Sequence, residues 1–561
     1  MGVGASTQII DTNYMRKTIL LLIIIRCTIG LSAQHTLTET DKLISTAKIW
    51  GFLKYYHPQV SKGQHNWDEE LFNILPKIKH CDNRDQLSQI YIEWINSLGT
   101  IEKCKTCIDN SNLDYFNKNF NLEWIENRNF FTKELSEKLR FIESNRHQGE
   151  KYYVALFNEG NVNILNESEY IDFEWQNEHL RLLTLFRYWN IIEYFFPYKY
   201  QTDTNWDVVL KNMIPRFLYP KDEIDFHLAI LELIVSIDDS HAYFSTRYTY
   251  ASFGFYLLPI KFKLVDDKAI ITGFNNETLA KVDDLRISDV ITSVGKQEVD
   301  TLFRKQEKFT SGSNISRKKA NSKYTIFNGS SDSVEIEFIR NDKIYSKTVK
   351  RYTAMSFNYD SDSESVKYKI LDNNIGYVNM GALRVEDVPS VMENLKDTRA
   401  IIFDIRNYPN GTLYSIVNYI SSKKNNFYKI IYPDLNYPGK FIWKDGRQCG
   451  ENEELKYSGK VVLLVNEETQ SHAEFSTMCL QTGDNVTTIG SQTSGADGNV
   501  SRIKIAGGHK TAFSGIGIFY PDKTETQRIG VKIDIEIKPT IGGISKGKDE
   551  VLERAIEYIN N

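Results

Sequence analysis

The stretch VVLLVNEETQSHAEF, residues 461–475, changes its pattern midway. A continuous apolar run, Val461 to Val465, reads as a buried strand. It ends at Asn466, a short polar turn follows, and Ser471 stands where a helix begins. The same alternation extends in both directions. IGYVNM (375–380), AIIFDIR (400–406) and VTTIGSQT (486–493) read as strands. VEDVPSVMENL (385–395), TLYSIVNYISS (412–422) and DEVLERAIEYI (549–559) read as helices. Strands alternating with helices predict an α/β domain with a mainly parallel sheet, here over 366–561.

Three phrases in the chain carry candidate chemistry. Ser471 reads in two ways. It is an N-cap whose capping box is completed by Glu474, or a nucleophile whose neighbour His472 offers its backbone N–H to an oxyanion. AIIFDIRNYPNG (400–411) delivers Asp404 and Arg406 to a turn ending in Asn410-Gly411. Glycine permits close approach of backbone to a ligand. The turn is therefore a second oxyanion donor at Gly411, or a plain strand-to-helix turn with Asp404 and Arg406 paired as scaffold. DDSHAYF (238–244) holds Ser240 and His241. A neutral imidazole is the usual base for a serine; otherwise His241 is a packed histidine.

Upstream, an internal repeat stands out. Trp50 and Trp189, Pro58 and Pro197, Trp67 and Trp206, and Pro76 and Pro215 each lie 139 positions apart. KIWGFLKYYHP matches RYWNIIEYFFP, and both copies have helical apolar spacing. Residues 34–250 therefore read as a helical region of two related units. Their ends diverge: His241 stands where the first copy has Glu102. From 255 to 352 the pattern turns to strands. IKFKLVDDKAIITGF (260–274) is two apolar stretches around an Asp-Asp turn, and DSVEIEFIRNDKIYSKTVKRY (332–352) is a further hairpin-like pair. This part resembles a PDZ domain, with Ser252-Phe253-Gly254-Phe255 at the place of a carboxylate-binding loop. A polar linker, 356–368, follows it.

The 561 residues have ordinary globular composition, with 41% hydrophobic and 25% charged residues and a net charge of −5. Wholesale disorder and a nucleic-acid surface are excluded on these grounds. Arg16 and Lys17, the apolar run Ile19–Ile25 and the small-residue site ending at Ala33 form an export signal over 1–33, with Met15 an alternative start. The run is too short to span a bilayer. In an exported chain the cluster Cys81, Cys104 and Cys107 reads as a disulfide source, with a zinc site including His80 as the alternative. No cofactor or metal is called for by the remaining motifs.

Together the three phrases resemble the tail-specific or C-terminal processing serine peptidases, nearest the branch containing the tricorn core. The residues that carry the resemblance are Asn466-Glu467 with Ser471-x-x-Glu474, Asp404-x-Arg406-x-x-Pro409-x-Gly411, and IGSQTSGADGN (489–499). The resemblance implies a ClpP/crotonase-like core, peptide substrates, Ser471 as nucleophile and His472 and Gly411 as oxyanion donors. Ser240-His241 matches the Ser-His phrase of that branch, with His241 the base and Ser240 orienting it. The family also includes retinoid-binding repeats, so a non-catalytic binder of peptides or apolar ligands is the alternative. Four positions differ from the family pattern. The lysine of the processing branch is Ala496 here, 25 residues after Ser471. Asn410 replaces a Gly, and Ile533 stands where the family often has Pro. The orienting acid falls at Gln527, with Glu525 two positions away.

Overall fold

The computed structural model describes residues 1–4, 37–107, 113–358, 366–450 and 456–561. All but residues 1–4 of the expected export signal, and most of the expected 356–368 linker, lie outside these residues. The helical region opens with α1 (Glu39–Tyr56) and α2 (Trp67–Lys79). After an intervening stretch come α3 (Glu178–Phe195) and α4 (Trp206–Leu218). Each pair closes through its tryptophans. The Trp50 indole donates to the Trp67 carbonyl at 3.0 Å and Trp67 donates back at 3.1 Å. Trp189 and Trp206 do the same at 2.9 and 3.1 Å. Both ring pairs stack with centroids 6.3 Å apart. Mutual indole-to-carbonyl bonds satisfy two polar groups inside an apolar interface, where an unpaired one is costly.

The pairs also grip each other crosswise. Arg187 of α3 binds Asp68 of α2 at 2.8 Å, and Lys48 of α1 binds Asp207 of α4 at 2.8 Å. Where α1 and α3 cross, Asn190 bonds the Ala47 carbonyl, and a Cβ on Gly51 would lie 1.7 Å from Asn190 Oδ1. Glycine at 51 is thus required by close approach.

The strand-rich part forms one six-stranded antiparallel sheet. Its edge is β1 (Ile260–Val265), which turns through Asp266 and Asp267, both at positive φ, into β2 (Lys268–Phe274). Aspartate tolerates that region better than most residues. Residues 252–255 are a helix end: Gly254, at φ 96°, caps Arg247–Phe253 and lies against the backbone of Gly329. The short helix α5 (Ile315–Asn321) lies beside β1.

The core sheet runs in chain order: β3 (Tyr368–Leu371), β4 (Ile375–Asn379), β5 (Ala400–Asp404), β6 (Lys460–Val465), β7 (Val486–Gly490) and β8 (Ile535–Glu536). Only β3 is antiparallel; the other five strands are parallel. β5 and β6 are buried over nearly their whole length, as parallel strands covered by helices must be. The helical region and the core share apolar packing. Tyr115–Phe116 pairs with Phe441–Asp445, and Phe513 and Phe519 pack among the helices. A hairpin, Val500–Ile505 and His509–Ser514, joins the two and carries Ser514 inward.

Candidate active site

The candidate site lies at the carboxyl ends of β5 and β6, where parallel sheets commonly place their chemistry. β6 ends at Val465, and the turn 466–470 leads into α6 (His472–Leu480). Thr469 Oγ1 holds this turn to the Ile405 carbonyl beyond β5, at 2.9 Å. Ser471 has φ 55° and ψ −120°. An ordinary N-cap in this chain is extended, as at Thr38 with φ −72° and ψ 161°. A non-glycine residue held in Ser471's conformation costs about 1–3 kcal/mol, and such strain clusters at functional sites.

Glu474 fixes the strained turn. One carboxylate oxygen accepts Ser471 N–H at 3.2 Å, the arm a capping box requires. The same fully buried carboxylate also accepts Thr493 Oγ1 at 2.5 Å and the N–H groups of Gly495 and Ala496 at 2.8 and 3.0 Å. The Ala496 carbonyl in turn accepts Ser471 N–H at 2.9 Å. Burial pushes the Glu474 carboxyl up, against the pull of these four donors. Burial, then the nearby Glu474 charge, holds the Asp497 carboxyl well above the usual range.

The second turn comes alongside. The Tyr408 ring lies 6.1 Å from the His472 ring. Asn410, in place of a glycine, ties the turn to the carbonyls of Gly381 and Leu383 at 2.8 and 3.1 Å. Gly411 has φ 75°. The N–H groups of Gly411 and His472 bond to no group among the described residues. Asp404 and Arg406 act as scaffold, through a two-point ion pair at 2.6 and 2.9 Å, and Arg406 continues to Asp549 at 2.8 Å.

The turn before His241 reaches the same place. Gln470 Nε2 donates to the Ser240 carbonyl at 3.4 Å, next to the nucleophile candidate. His241 is nearly buried and its Nε2 bonds to nothing among the described residues, so no hydrogen bond joins it to Ser471. Its Nδ1 meets Ser514 Oγ at 2.9 Å and Asp239 Oδ1 at 3.5 Å. Asp239 is fully buried. Burial alone would raise its carboxyl; the bonds from His241 and Ser514 outweigh that and hold it below the usual range.

Several expected placements differ. Among the described residues Ser240 makes no hydrogen bond to the imidazole: its hydroxyl oxygen accepts Ser313 N–H at 2.8 Å and lies 3.0 Å from Ser313 Oγ and 3.3 Å from the Ser494 carbonyl, either of which can take its one proton. Successive residues in a turn point apart, so Ser240 faces the 313 loop while His241 faces Ser514. Glu525 is occupied elsewhere, by Lys118 at 2.6 Å, Tyr200 at 2.9 Å and Gln201 at 2.6 Å. Gln527 is fully buried with both amide atoms unpartnered. Lys504 pairs with Glu169 in the helical region. Cys104 and Cys107 form a disulfide, while Cys81 is free and buried. Among the described residues no group of three or more His, Cys, Asp or Glu could hold a metal ion. Asp239 and Ser514 were missed at sequence level. The DDSH phrase held a signal for the first; nothing marked the second.

A serine at a strained strand-to-helix turn, followed by a backbone N–H that bonds to no group among the described residues and flanked by a second turn with another, defines a serine-type peptidase core. Residues 374–537 match the family model described as Peptidase family S41. The match includes Gly411, Ser471 and Gln527 but not Ser240 or His241. No curated protein matches the chain. Among solved structures, mature CPAF is similar at 13% identity, with a TM-score of 0.54, over 68% of this chain and 98% of that one. This likeness establishes a shared fold. The photosystem II D1 C-terminal processing protease matches at 14% identity and TM-score 0.36, over 67% and 98% of the two chains. The tricorn protease matches at 13% and 0.33, over 68% and 37%. The protein is a serine-type peptidase.

Proposed function

We propose that the protein is an exported endopeptidase using a Ser-His acyl-enzyme mechanism. Ser471 Oγ attacks the scissile carbonyl and passes its proton to His241 Nε2. Gly411 and His472 N–H groups receive the oxyanion, and the imidazolium protonates the leaving amine. Water then releases the acyl group by the same steps. The observation that carries this reading is the strained Ser471 turn with two unengaged N–H groups beside it. A closing movement would bring His241 onto Ser471, since catalytic bonds often tighten only with substrate.

The strand-rich part is assigned as a PDZ-like domain. A cleft of about 680 Å³ runs between edge strand β1 and α5 and reaches Glu467, Glu468 and Ser491 of the core. An extended peptide would add to β1 as a further strand and lead toward Ser471. The two tryptophan-paired helical units are taken as copies of one ancestor. Export is supported by the signal-like start and by the Cys104–Cys107 disulfide, a bond favoured in oxidising compartments. Among the described residues no helix is long and apolar enough to cross a membrane.

A fluorophosphonate probe tests the mechanism. It should label Ser471, and labelling should vanish in Ser471→Ala. An unlabelled, correctly folded parent that cleaves no peptide would refute the proposal.

A further inference from the structure

A base at His241 needs a lone pair on Nε2 and a proton on Nδ1 held by an acceptor. The two acidic-position candidates do not supply that acceptor. Gln527 bonds to no group among the described residues, and Glu525 is bonded to Lys118, Tyr200 and Gln201. One carboxylate does face Nδ1. Ser514 Oγ lies 2.9 Å from His241 Nδ1 and donates its own proton to Asp239 Oδ1 at 3.1 Å. Ser514 N–H donates to Asp239 Oδ2 at 2.6 Å, and His241 N–H donates to Oδ1 at 3.0 Å. A hydroxyl that gives its proton to Asp239 has only lone pairs left for the imidazole, so Nδ1 must be the donor. That leaves the unpartnered Nε2 as the free base.

We infer that Asp239 is the positioning acid of His241, acting through Ser514 Oγ and replacing the carboxylate absent at Gln527. The assignment rests on His241 being the base. When Ser471 Oγ bonds to the scissile carbon, its proton moves to Nε2. The positive charge on the ring is then met along Nδ1–H, Ser514 Oγ–H and Asp239 Oδ1, and Asp239 stays ionised. The proton leaves from Nε2 to the departing amine. Acid and base are acquired together: at the matching positions of the first helical unit stand Thr100 and Glu102. Tyr188 also lies in the field of Asp239, and burial, first, then that charge push its phenol up.

The test reads the tautomer directly. The full chain, labelled with ¹⁵N-histidine, is examined by NMR, with His241 assigned by His241→Gln. The parent should show Nδ1–H; in Asp239→Asn that tautomer should no longer dominate. On a peptide substrate, Asp239→Asn should lower kcat by about 10²–10⁴-fold with KM within a few-fold. The acid limb of its kcat/KM profile should move to lower pH. Should Asp239→Asn fail to fold, Ser514→Ala carries the test, with a changed Nδ1–H signal and kcat lower by about tenfold. An Nε2–H parent, or unchanged tautomer and kcat in either folded variant, would overturn the assignment. A parent that cleaves nothing while Asp239 still controls the tautomer would sink the peptidase mechanism and leave this assignment standing.

Discussion

The hairpin of α1 and α2 and that of α3 and α4 are held by the same contacts and do different work. Each has reciprocal tryptophan bonds, each has a proline inside its second helix (Pro76 and Pro215), and each lends an aspartate to the other's basic residue. They part company at their ends. The first runs out to the half-exposed stretch around Glu102 and the Cys104–Cys107 disulfide. The second turns inward through Asp238, at φ 49°, and delivers Asp239 and His241 to the core. Pairing of the helices therefore does not require the imidazole, and in the proposed mechanism its presence in one copy alone is chemistry laid over a structural frame.

The largest effect should come from erasing that difference. His241→Glu, which makes the second end resemble the first, should lower peptide hydrolysis by several orders of magnitude, close to the loss in Ser471→Ala. Glu102→Ala should change it little. Lys504→Ala is expected to be nearly silent; a loss as large as that in Ser471→Ala would hand the role of the base to a lysine.

Next in size is the crosswise ion pairing, alike in sequence but unlike in burial. The Arg187 and Asp68 side chains are 2% and 9% exposed, whereas Asp207 opposite Lys48 is 56% exposed. Arg187 also binds Glu167 at 2.9 Å. Asp68→Ala should cost about 3–5 kcal/mol in denaturant unfolding, because Glu167 is shared with buried Lys54 and one buried positive charge is then left unbalanced. Asp207→Ala should cost under about 1 kcal/mol. Equal costs would show that burial is not what separates the units. Smaller again, Gly51→Ala should cost about 1–3 kcal/mol by forcing α1 and α3 apart. Asn190→Gly combined with it should recover part of that loss.

The smallest effect concerns two buried carboxyls with opposite shifts. Asp239 is held down, so its contribution is present above about pH 4 and lost as pH falls through its folded pKa. Asp497 is raised, so its contribution is present below about pH 4 and lost as pH rises. The melting temperature of Asp497→Asn should therefore gain on the parent as pH climbs from about 4 to 8. Parallel curves would mean that Asp497 does not ionise differently on folding.

Much of the core was legible in sequence. Unbroken apolar runs such as 400–403 and Val461–Val465 leave little choice but buried parallel strands, because each residue must find apolar cover on both faces. The serine and glycine turns followed, since a strand ending in polar residues before a helix exposes backbone N–H groups. The repeat was equally plain, because helical packing constrains residue type at fixed spacing. The proposed acid relay was only half legible: the DDSH phrase offers Asp239, but nothing marks Ser514 as its partner. Asp239 and Ser514 are 275 residues apart and meet only because a hairpin folds back across the helical region. Nor could spacing tell that Ser240 would face Ser313, or that Glu525 would be taken up by Lys118. Local pattern determines secondary structure and which face is buried. Which polar atoms meet inside depends on how distant segments close over one another, and only the tertiary structure decided that.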